Sequence, residues 1–315
     1  MSGRADAGGM KRIPLSSIDP GDSYFNISRN IVRDELKSSI REFGVLDPPV
    51  VTPHGGAYRA VFGFNRIAAL RGLGAAHADC LVAPEVSAGF FARGALLKCQ
   101  RGEAGPIGRL RALAVLKELG AGGERLELIA AKGLHVPAEF VRDAALLAAA
   151  LGLPDALRDY CDLRDIQIRV VRDLARMPAP DAALLSSWLA FVPLRVNIFR
   201  FIVDMLADIR ARDGGLGAVE GISPGAEQDR KSWEEDLYGR VRAARYPEYS
   251  SLARVADDIA GYFAARGINL AYPPYFEGDR LELTIRVGRR DDPAAIGGRL
   301  EEVDWARLRP LLDLL

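Results

Sequence analysis

The sequence has 315 residues, which is enough for two or three domains with separate cores. Its 42 basic and 42 acidic side chains cancel, so a surface for nucleic acid has to be local rather than spread over the chain. The three cysteines and three histidines are widely spaced, which argues against a disulfide framework and a zinc site. We expect reduced thiols in a cytoplasmic protein and, since no long uncharged apolar run occurs, no membrane span.

The N-terminal part of the sequence predicts a polar, disordered leader over residues 1–10, followed by a small α+β domain over residues 11–93. Asp34 begins a predicted helix and Gly44 ends it. The apolar face of this helix is expected to comprise Leu36, Ile40 and Phe43. A glycine pair after His54 separates two short strand-like runs and predicts a β-hairpin.

The stretch from Tyr58 to Gly74 predicts a strand, a tight turn and a helix. Gly63 at the junction allows a sharp turn and leaves the first amides of the helix facing outward, where an anion is the natural partner. Arg66 in the first turn offers a bidentate fork to the same anion. The alternative is that Gly63 only makes a turn and Arg66 pairs with a nearby carboxylate.

This order of elements closely resembles the N-terminal domain of the ParB family of DNA-partitioning and nucleoid-occlusion proteins, a domain that shares its fold with sulfiredoxin. The matching features are a first strand ending in Ile18, a helix carrying Ser39 and Ile40, Gly44, Pro48 before the second strand, and the box Gly63, Arg66 and Ala69. The resemblance implies an α+β protein. The expected architecture is a small ParB/sulfiredoxin-like N-terminal domain, an all-helical middle domain with a helix-turn-helix, and a small α+β C-terminal domain.

The resemblance also implies a nucleotide site. In the family, an arginine near position 29, the glycine-arginine box and a later glutamate-asparagine-x-x-arginine box hold the triphosphate of CTP and its magnesium. The later box corresponds here to Leu97–Arg101, in which Leu97 and Lys98 replace the acidic and amide positions. The expected nucleotide- or anion-binding residues are Arg29, Gly63, Asn65, Arg66, Gln100 and Arg101.

The departures from the family pattern affect the expected metal binding and catalysis. Phe64 and Asn65 stand where the family usually has glutamate and arginine, so the oxygen ligands for magnesium are missing. We therefore do not expect nucleotide hydrolysis and assign no catalytic residue and no metal ligand. Binding of CTP, with or without Mg²⁺, or of another anion stays open. Sulfiredoxin activity is not expected either, because its nucleophilic cysteine would fall at Phe64.

Residues 94–213 are expected to be nearly all helical. Within them, two short helices separated by Lys132–Val136 predict a helix-turn-helix whose second helix begins at Pro137. Position and charge make Lys132, His135 and Arg142 the expected DNA-binding residues. Taken alone the pattern is weak, because helix pairs around a glycine are common and the second helix carries Glu139 and Asp143, which repel phosphates.

Residues 214–232 are expected to form a linker and residues 233–315 an α+β end domain. A strand with Leu281, Leu283, Ile285 and Val287 is expected to pair across a turn at Glu277–Asp279. A final helix over residues 300–315 has the apolar stripe Leu308, Leu311, Leu312 and Leu315, which serves self-association or docks onto its own sheet. The aromatic residues Tyr272, Tyr275 and Phe276 form either a stacking surface or a packed loop cover.

Three functions remain open from the sequence. The first is a ParB-like, nucleoid-associated DNA-binding protein in chromosome or plasmid partitioning, or a transcription regulator derived from one. Its expected partners are double-stranded DNA, a second copy of the chain as a homodimer, and a partner ATPase. The alternatives are an enzyme, either a CTPase or a nuclease, and a non-catalytic protein-interaction scaffold.

Overall fold

The computed structural model describes residues 9–29, 34–223, 229–273, 280–288, 297–298 and 300–313. It divides into two compact units, Met1–Val203 and Asp204–Leu315. The finer division expected near residues 93, 213 and 232 stays a prediction. Among the described residues, no helix is both long enough and apolar enough to cross a membrane.

The first unit begins with a four-stranded mixed sheet in the order β1-β4-β2-β3. Its strands are β1 (Met10–Pro14), β2 (Val50–His54), β3 (Ala57–Phe62) and β4 (His77–Val82). The pairs β1–β4 and β2–β3 are antiparallel, whereas β2–β4 is parallel. The β2–β3 hairpin confirms the glycine turn expected after His54, because Gly55 and Gly56 both have positive φ angles, +58° and +80°.

Two helices accompany this sheet, α1 (Asp34–Phe43) and α2 (Phe64–Gly72), and both have the predicted positions. Ile67 and Leu70 of α2 pack into one core with Ile13, Val51 and Cys80 of the strands. The parallel β2–β4 pairing requires a crossover, and α2 lies between β3 and β4 in the chain to supply it. This connection carries the Gly63 turn at its start.

Two details of the first domain differ from expectation. The first strand ends at Pro14 rather than Ile18, which follows a short 3-10 helix and makes only an isolated parallel bridge to Tyr58. The predicted apolar face of α1 is only partly covered: Ile40 packs against the sheet core and Leu36 is half-buried, whereas Phe43 is 62% exposed. Periodicity alone predicts which face is apolar, but not whether another element covers it.

A bundle of helices follows, as expected for residues 94–213. The helices are α3 (Ala88–Gln100), α4 (Pro106–Glu118), α5 (Gly123–Leu128), α6 (Ala138–Arg142), α7 (Ala144–Leu151), α8 (Asp155–Leu163), α9 (Ile168–Arg176), α10 (Ala179–Phe191) and α11 (Val196–Asp213). Helix α4 is central, because Leu110, Leu113 and Leu116 are fully buried and it packs against α3, α7, α8 and α9.

The expected helix-turn-helix has a different local geometry. Helix α5 continues as a π-helix over Ile129–Leu134, so Lys132 lies in helical structure and the turn begins at His135, which has φ +53°. The expected second helix is divided at Asp143, whose carboxylate accepts a 2.9 Å hydrogen bond from the Leu146 amide and caps α7. The Asp143 side chain therefore divides into two helices a segment that apolar periodicity alone predicts to be one helix.

The second unit contains α12 (Arg230–Arg245), α13 (Pro247–Ala264), an antiparallel pair of β5 (Ile268–Ala271) and β6 (Glu282–Ile285), and α14 (Arg309–Leu312). The expected strand is thus present, while its turn at Glu277–Asp279 lies outside the described residues, as do Tyr275 and Phe276. In the segment expected to be a linker, Leu216, Val219 and Ile222 are buried.

The C-terminal segment is not the single helix expected over residues 300–315. A 3-10 helix, Trp305–Leu308, precedes the short α14. Leu308 and Leu311 are buried in one core with Phe263 and Ile268, whereas Leu312 is 49% exposed. Docking within the unit therefore uses part of the leucine stripe, and Leu315 lies outside the described residues.

Candidate anion-binding site and nucleic-acid interface

The Gly63 turn has a geometry that only glycine fits. Its φ is +90°, and a Cβ at this position would lie 2.9 Å from the Cα atom of Pro49. Its carbonyl oxygen accepts hydrogen bonds from the amides of Arg66 and Ile67, both at 3.0 Å, which starts α2. The backbone N–H groups of Phe64 and Asn65, in the first turn of the helix, therefore point away from it and can donate hydrogen bonds to a group beyond its N-terminus.

A cleft of about 360 Å³ lies beyond this turn. Its lining includes five of the residues expected to bind an anion, namely Arg29, Gly63, Asn65, Arg66 and Arg101. The sixth, Gln100, is exposed on α3 and is not among the lining residues. Three separate stretches of sequence thus meet at one surface, as the resemblance implied.

Aromatic packing brings α3 to this cleft. The rings of Phe62, at the end of β3, and Phe91 stack at 5.6 Å with an interplanar angle of 9°. A Cβ at Gly94 would lie 2.1 Å from the Phe62 ring, so α3 approaches the end of β3 closely at that point. Lys98 and Arg101, further along α3, consequently reach the same cleft as the Gly63 turn.

Arg66 contacts a carboxylate as well as the cleft. It forms an ion pair with Asp47, and Arg101 lies 3.9 Å from the same carboxylate. The local pairing considered for Arg66 is therefore present in this structure. Asp47 is 59% exposed, and an ion pair to such a group contributes only about 0–1 kcal/mol. The pairing is weak enough for an incoming anion to replace it.

Lys98 was treated in the sequence only as a departure from the family pattern, but it lies in the cleft. Its Nζ donates to Ser28 Oγ and to Glu103 Oε2, both at 2.9 Å, and its side chain is 14% exposed. A signal for this role was available, because Lys98 and Arg101 are three residues apart and so share one side of a helix. Ser28 and Glu103 carried no comparable signal.

Arg29 connects the cleft to the helical region. Its guanidinium donates a hydrogen bond to Asp165 at 3.0 Å. Its backbone carbonyl oxygen accepts one from the side-chain Nδ2 of Asn65, also at 3.0 Å. Asn65 thus supports the backbone at Arg29. The Nε atom of Arg29 is enclosed and has no hydrogen-bond partner in the described part of the chain. Asp165 also approaches Arg109 at 3.6 Å, just before α9 begins.

A second cavity, of about 530 Å³, lies beside the first, and its polar lining groups make contacts that stabilise the fold. The Asp162 carboxylate accepts hydrogen bonds from the amides of Ile107 at 2.7 Å and Gly108 at 3.4 Å, so it caps the N-terminus of α4. Burial raises the pKa of Asp162, while these amide bonds act to lower it. Arg111 in the same cavity donates to the Asn26 carbonyl oxygen. These contacts join the N-terminal loop and α8 to α4.

The magnesium that the family resemblance implies does not fit the donors in the cleft. Mg²⁺ prefers an octahedral set of oxygen ligands with one or two carboxylates. Of the two carboxylates among the described lining residues, Glu103 is paired with Lys98, and the exposed Glu35 faces a cleft with four cationic side chains. Asp47, beside the cleft, is paired with Arg66. Within the described ranges, no group of three or more His, Cys, Asp or Glu side chains is placed to hold a metal ion.

The expected DNA-binding residues Lys132, His135 and Arg142 are all exposed. Arg142 is 70% exposed and lies 3.4 Å from Glu127. All three are accessible to an external anion, and they occupy the end of the π-helix, the turn and the end of α6.

Helix α9 adds positive charge beside α6 that was not predicted from the sequence. Glu139 of α6 contacts Arg172 at 3.4 Å and Arg176 at 3.2 Å, both from α9. Glu139, one of the two carboxylates that argued against DNA contact, is therefore compensated by two arginines. The signal was present in the sequence, since Arg169, Arg172 and Arg176 recur at helical spacing opposite the buried Val170, Val171 and Leu174.

The sheet, the Gly63 turn and the basic cleft define a small α/β domain with a positively charged cleft. The family model described as the ParB N-terminal domain matches residues 4–87. The first domain therefore matches the ParB N-terminal domain, which confirms the resemblance for that part of the chain. The mixed helical and sheet structure confirms the α+β fold class. No curated protein matches the sequence significantly.

Two solved structures of the C-terminally truncated chromosome-partitioning protein ParB from Caulobacter crescentus are similar to the chain. The complex with CTP-gamma-S is 23% identical and covers 58% of this chain and 99% of its own, with a TM-score of 0.25. The complex with the centromeric parS site is 18% identical and covers 62% of this chain and 98% of its own, with a TM-score of 0.29.

Proposed function

We propose that the chain is a ParB-like DNA-binding protein with a nucleotide-binding first domain, acting in chromosome or plasmid partitioning or in transcription regulation derived from it. The observation that carries the proposal is the convergence of Arg29, the Gly63 turn, Arg66 and Arg101 on one cleft in a ParB N-terminal domain. Such a combination of helix amides and arginines favours phosphate groups. CTP is the nucleotide that the family resemblance implies.

The proposed DNA interface comprises Lys132, His135 and Arg142, with α6 in the role of the reading helix. Their exposure supports the proposal. The arginines of α9 support it further, because they offset Glu139 and add positive charge beside α6. On this proposal the protein is cytoplasmic and nucleoid-associated, forms a homodimer and works with a partner ATPase.

Nucleotide binding is tested by calorimetric titration of the full chain with CTP, ATP and GTP. Arg66→Ala removes charge-assisted hydrogen bonds of about 1.5–3 kcal/mol, so we expect the Kd for CTP to rise about 10- to 100-fold. Arg93→Ala is the matched control, since Arg93 is exposed on α3 outside the cleft lining and should leave the Kd unchanged. Absence of binding for all three nucleotides would remove the nucleotide part of the proposal.

DNA binding is tested by fluorescence anisotropy with duplex fragments at increasing salt. Phosphate contacts release counterions, so the affinity should fall steeply as salt rises. Arg142→Ala should weaken binding and flatten the salt dependence, whereas Arg254→Ala, an exposed change in the second unit, should do neither. An affinity independent of salt would contradict an interface based on phosphate contacts.

Neither alternative function has a specific observation in its favour. A CTPase or nuclease needs groups that hold a catalytic metal or activate water. Of the two lining carboxylates in the described cleft, Glu103 is paired with Lys98 and Glu35 stands against four cationic side chains. A protein-interaction scaffold would require a partner surface on the second unit, and the described part of that unit identifies none by its chemistry. We therefore propose binding rather than catalysis.

A further inference from the structure

The position of Lys98 has a consequence for how the cleft holds an anion. An ammonium group has three N–H donors, and two of them are used by Ser28 and Glu103 at 2.9 Å. The third donor remains for a ligand. Because the side chain is only 14% exposed, the charge is held within the cleft and is less screened than a surface lysine.

Lys98 lies in a cleft that already contains Arg29, Arg66 and Arg101. A divalent cation would meet four positive side chains there and two lining carboxylates, Glu35 and Glu103, of which Glu103 is already paired with Lys98. The polyphosphate of a nucleotide has the opposite requirement, since it needs several positive groups spread along its oxygens. The cleft supplies these charges from its own side chains.

We propose that this cleft binds the polyphosphate of a nucleotide without a divalent metal ion, and that the Lys98 ammonium provides the positive charge that a metal would otherwise supply. This inference rests on the proposed nucleotide-binding function. It makes Lys98 a phosphate-contacting residue and separates this chain from the metal-assisted binding that the family resemblance implies.

The experiment is a pair of calorimetric titrations of the full chain with CTP, one in Mg²⁺ and one in EDTA. We expect a Kd in EDTA within about threefold of the Kd in Mg²⁺. Weakening of about tenfold or more in EDTA would overturn the inference while leaving the proposed function intact. Absence of binding in both buffers would instead remove the proposed function itself.

Variants of Lys98 provide an independent readout. Lys98→Asn, which installs the amide of the family box, should weaken binding in EDTA about tenfold or more and gain a dependence on Mg²⁺. Lys98→Met should weaken binding in both buffers, and Lys231→Met, an exposed change on α12, should have no effect. Circular dichroism of each variant confirms that it is folded. Unchanged metal-free affinity in both folded Lys98 variants would refute the role of this ammonium.

Discussion

Replacement of Gly63 by alanine tests the turn that forms the cleft. An alanine held at φ +90° is strained, at a cost of about 1–2 kcal/mol for a non-glycine residue in the left-handed region. The added Cβ would also lie 2.9 Å from the Cα and 3.0 Å from the Cβ of Pro49, which are parts of the chain that cannot rotate away. Overpacking of this kind costs about 1–3 kcal/mol. We expect Gly63→Ala to lower the free energy of unfolding by about 2–5 kcal/mol in total.

The matched control is Gly74→Ala at the other end of α2. Gly74 has φ +74°, but nothing lies within 4 Å of an added Cβ, so only the backbone strain of about 1–2 kcal/mol applies. Urea unfolding followed by circular dichroism measures both variants, and CTP titration should show weaker binding only for Gly63→Ala. Equal destabilisation by the two substitutions would refute the close approach of Gly63 to Pro49.

Three further predictions concern charge and thiol chemistry. Glu139→Gln removes a negative charge beside the proposed DNA surface, so anisotropy should report about 3- to 10-fold tighter duplex binding at low salt, and no change would place Glu139 away from DNA. Asp165→Asn releases Arg29, so calorimetry should show CTP binding about threefold tighter, whereas weaker binding would mean that Asp165 supports the cleft. Burial raises the pKa of Cys80 to about 11 and of Cys161 to about 12, so both thiols should react slowly with a disulfide reagent near pH 8 until the protein is unfolded, and rapid reaction in the folded state would contradict their burial.

The parts of the fold that follow from the sequence are those set by local chemistry. Asp34 and Gly44 bound α1 as expected, because an acidic first turn and a terminal glycine act within a few residues. The β2–β3 hairpin and the Gly63 turn were predictable for the same reason, since their glycines have positive φ angles that other residues avoid. Three of the expected cleft residues, Gly63, Asn65 and Arg66, belong to this turn and the first turn of α2.

What the sequence did not predict depends on contacts between distant residues. Lys98 and Ser28 are 70 positions apart, so their hydrogen bond becomes visible only when α3 is docked onto the end of β3. The ion pair of Glu139 with an arginine of α9 likewise depends on tertiary packing, and it offsets a negative charge that the sequence alone would set against DNA binding. The exposure of Phe43 shows the same limit, because an apolar face predicts burial only if a neighbour covers it.

The charges of the cleft favour exchange of one anion for another over the binding of a metal. Arg66 and Arg29 are both paired in this structure, with Asp47 and Asp165, which are 59% and 57% exposed. Such exposed pairs contribute about 0–1 kcal/mol each, whereas a hydrogen bond from a charged donor to a bound phosphate contributes about 1.5–3 kcal/mol. A polyphosphate can therefore replace both carboxylates with a net gain, and the displaced carboxylates return to water. A divalent cation gains less, because binding at Glu103 would separate that carboxylate from the largely buried Lys98, and binding at Glu35 would set the cation among four positive side chains.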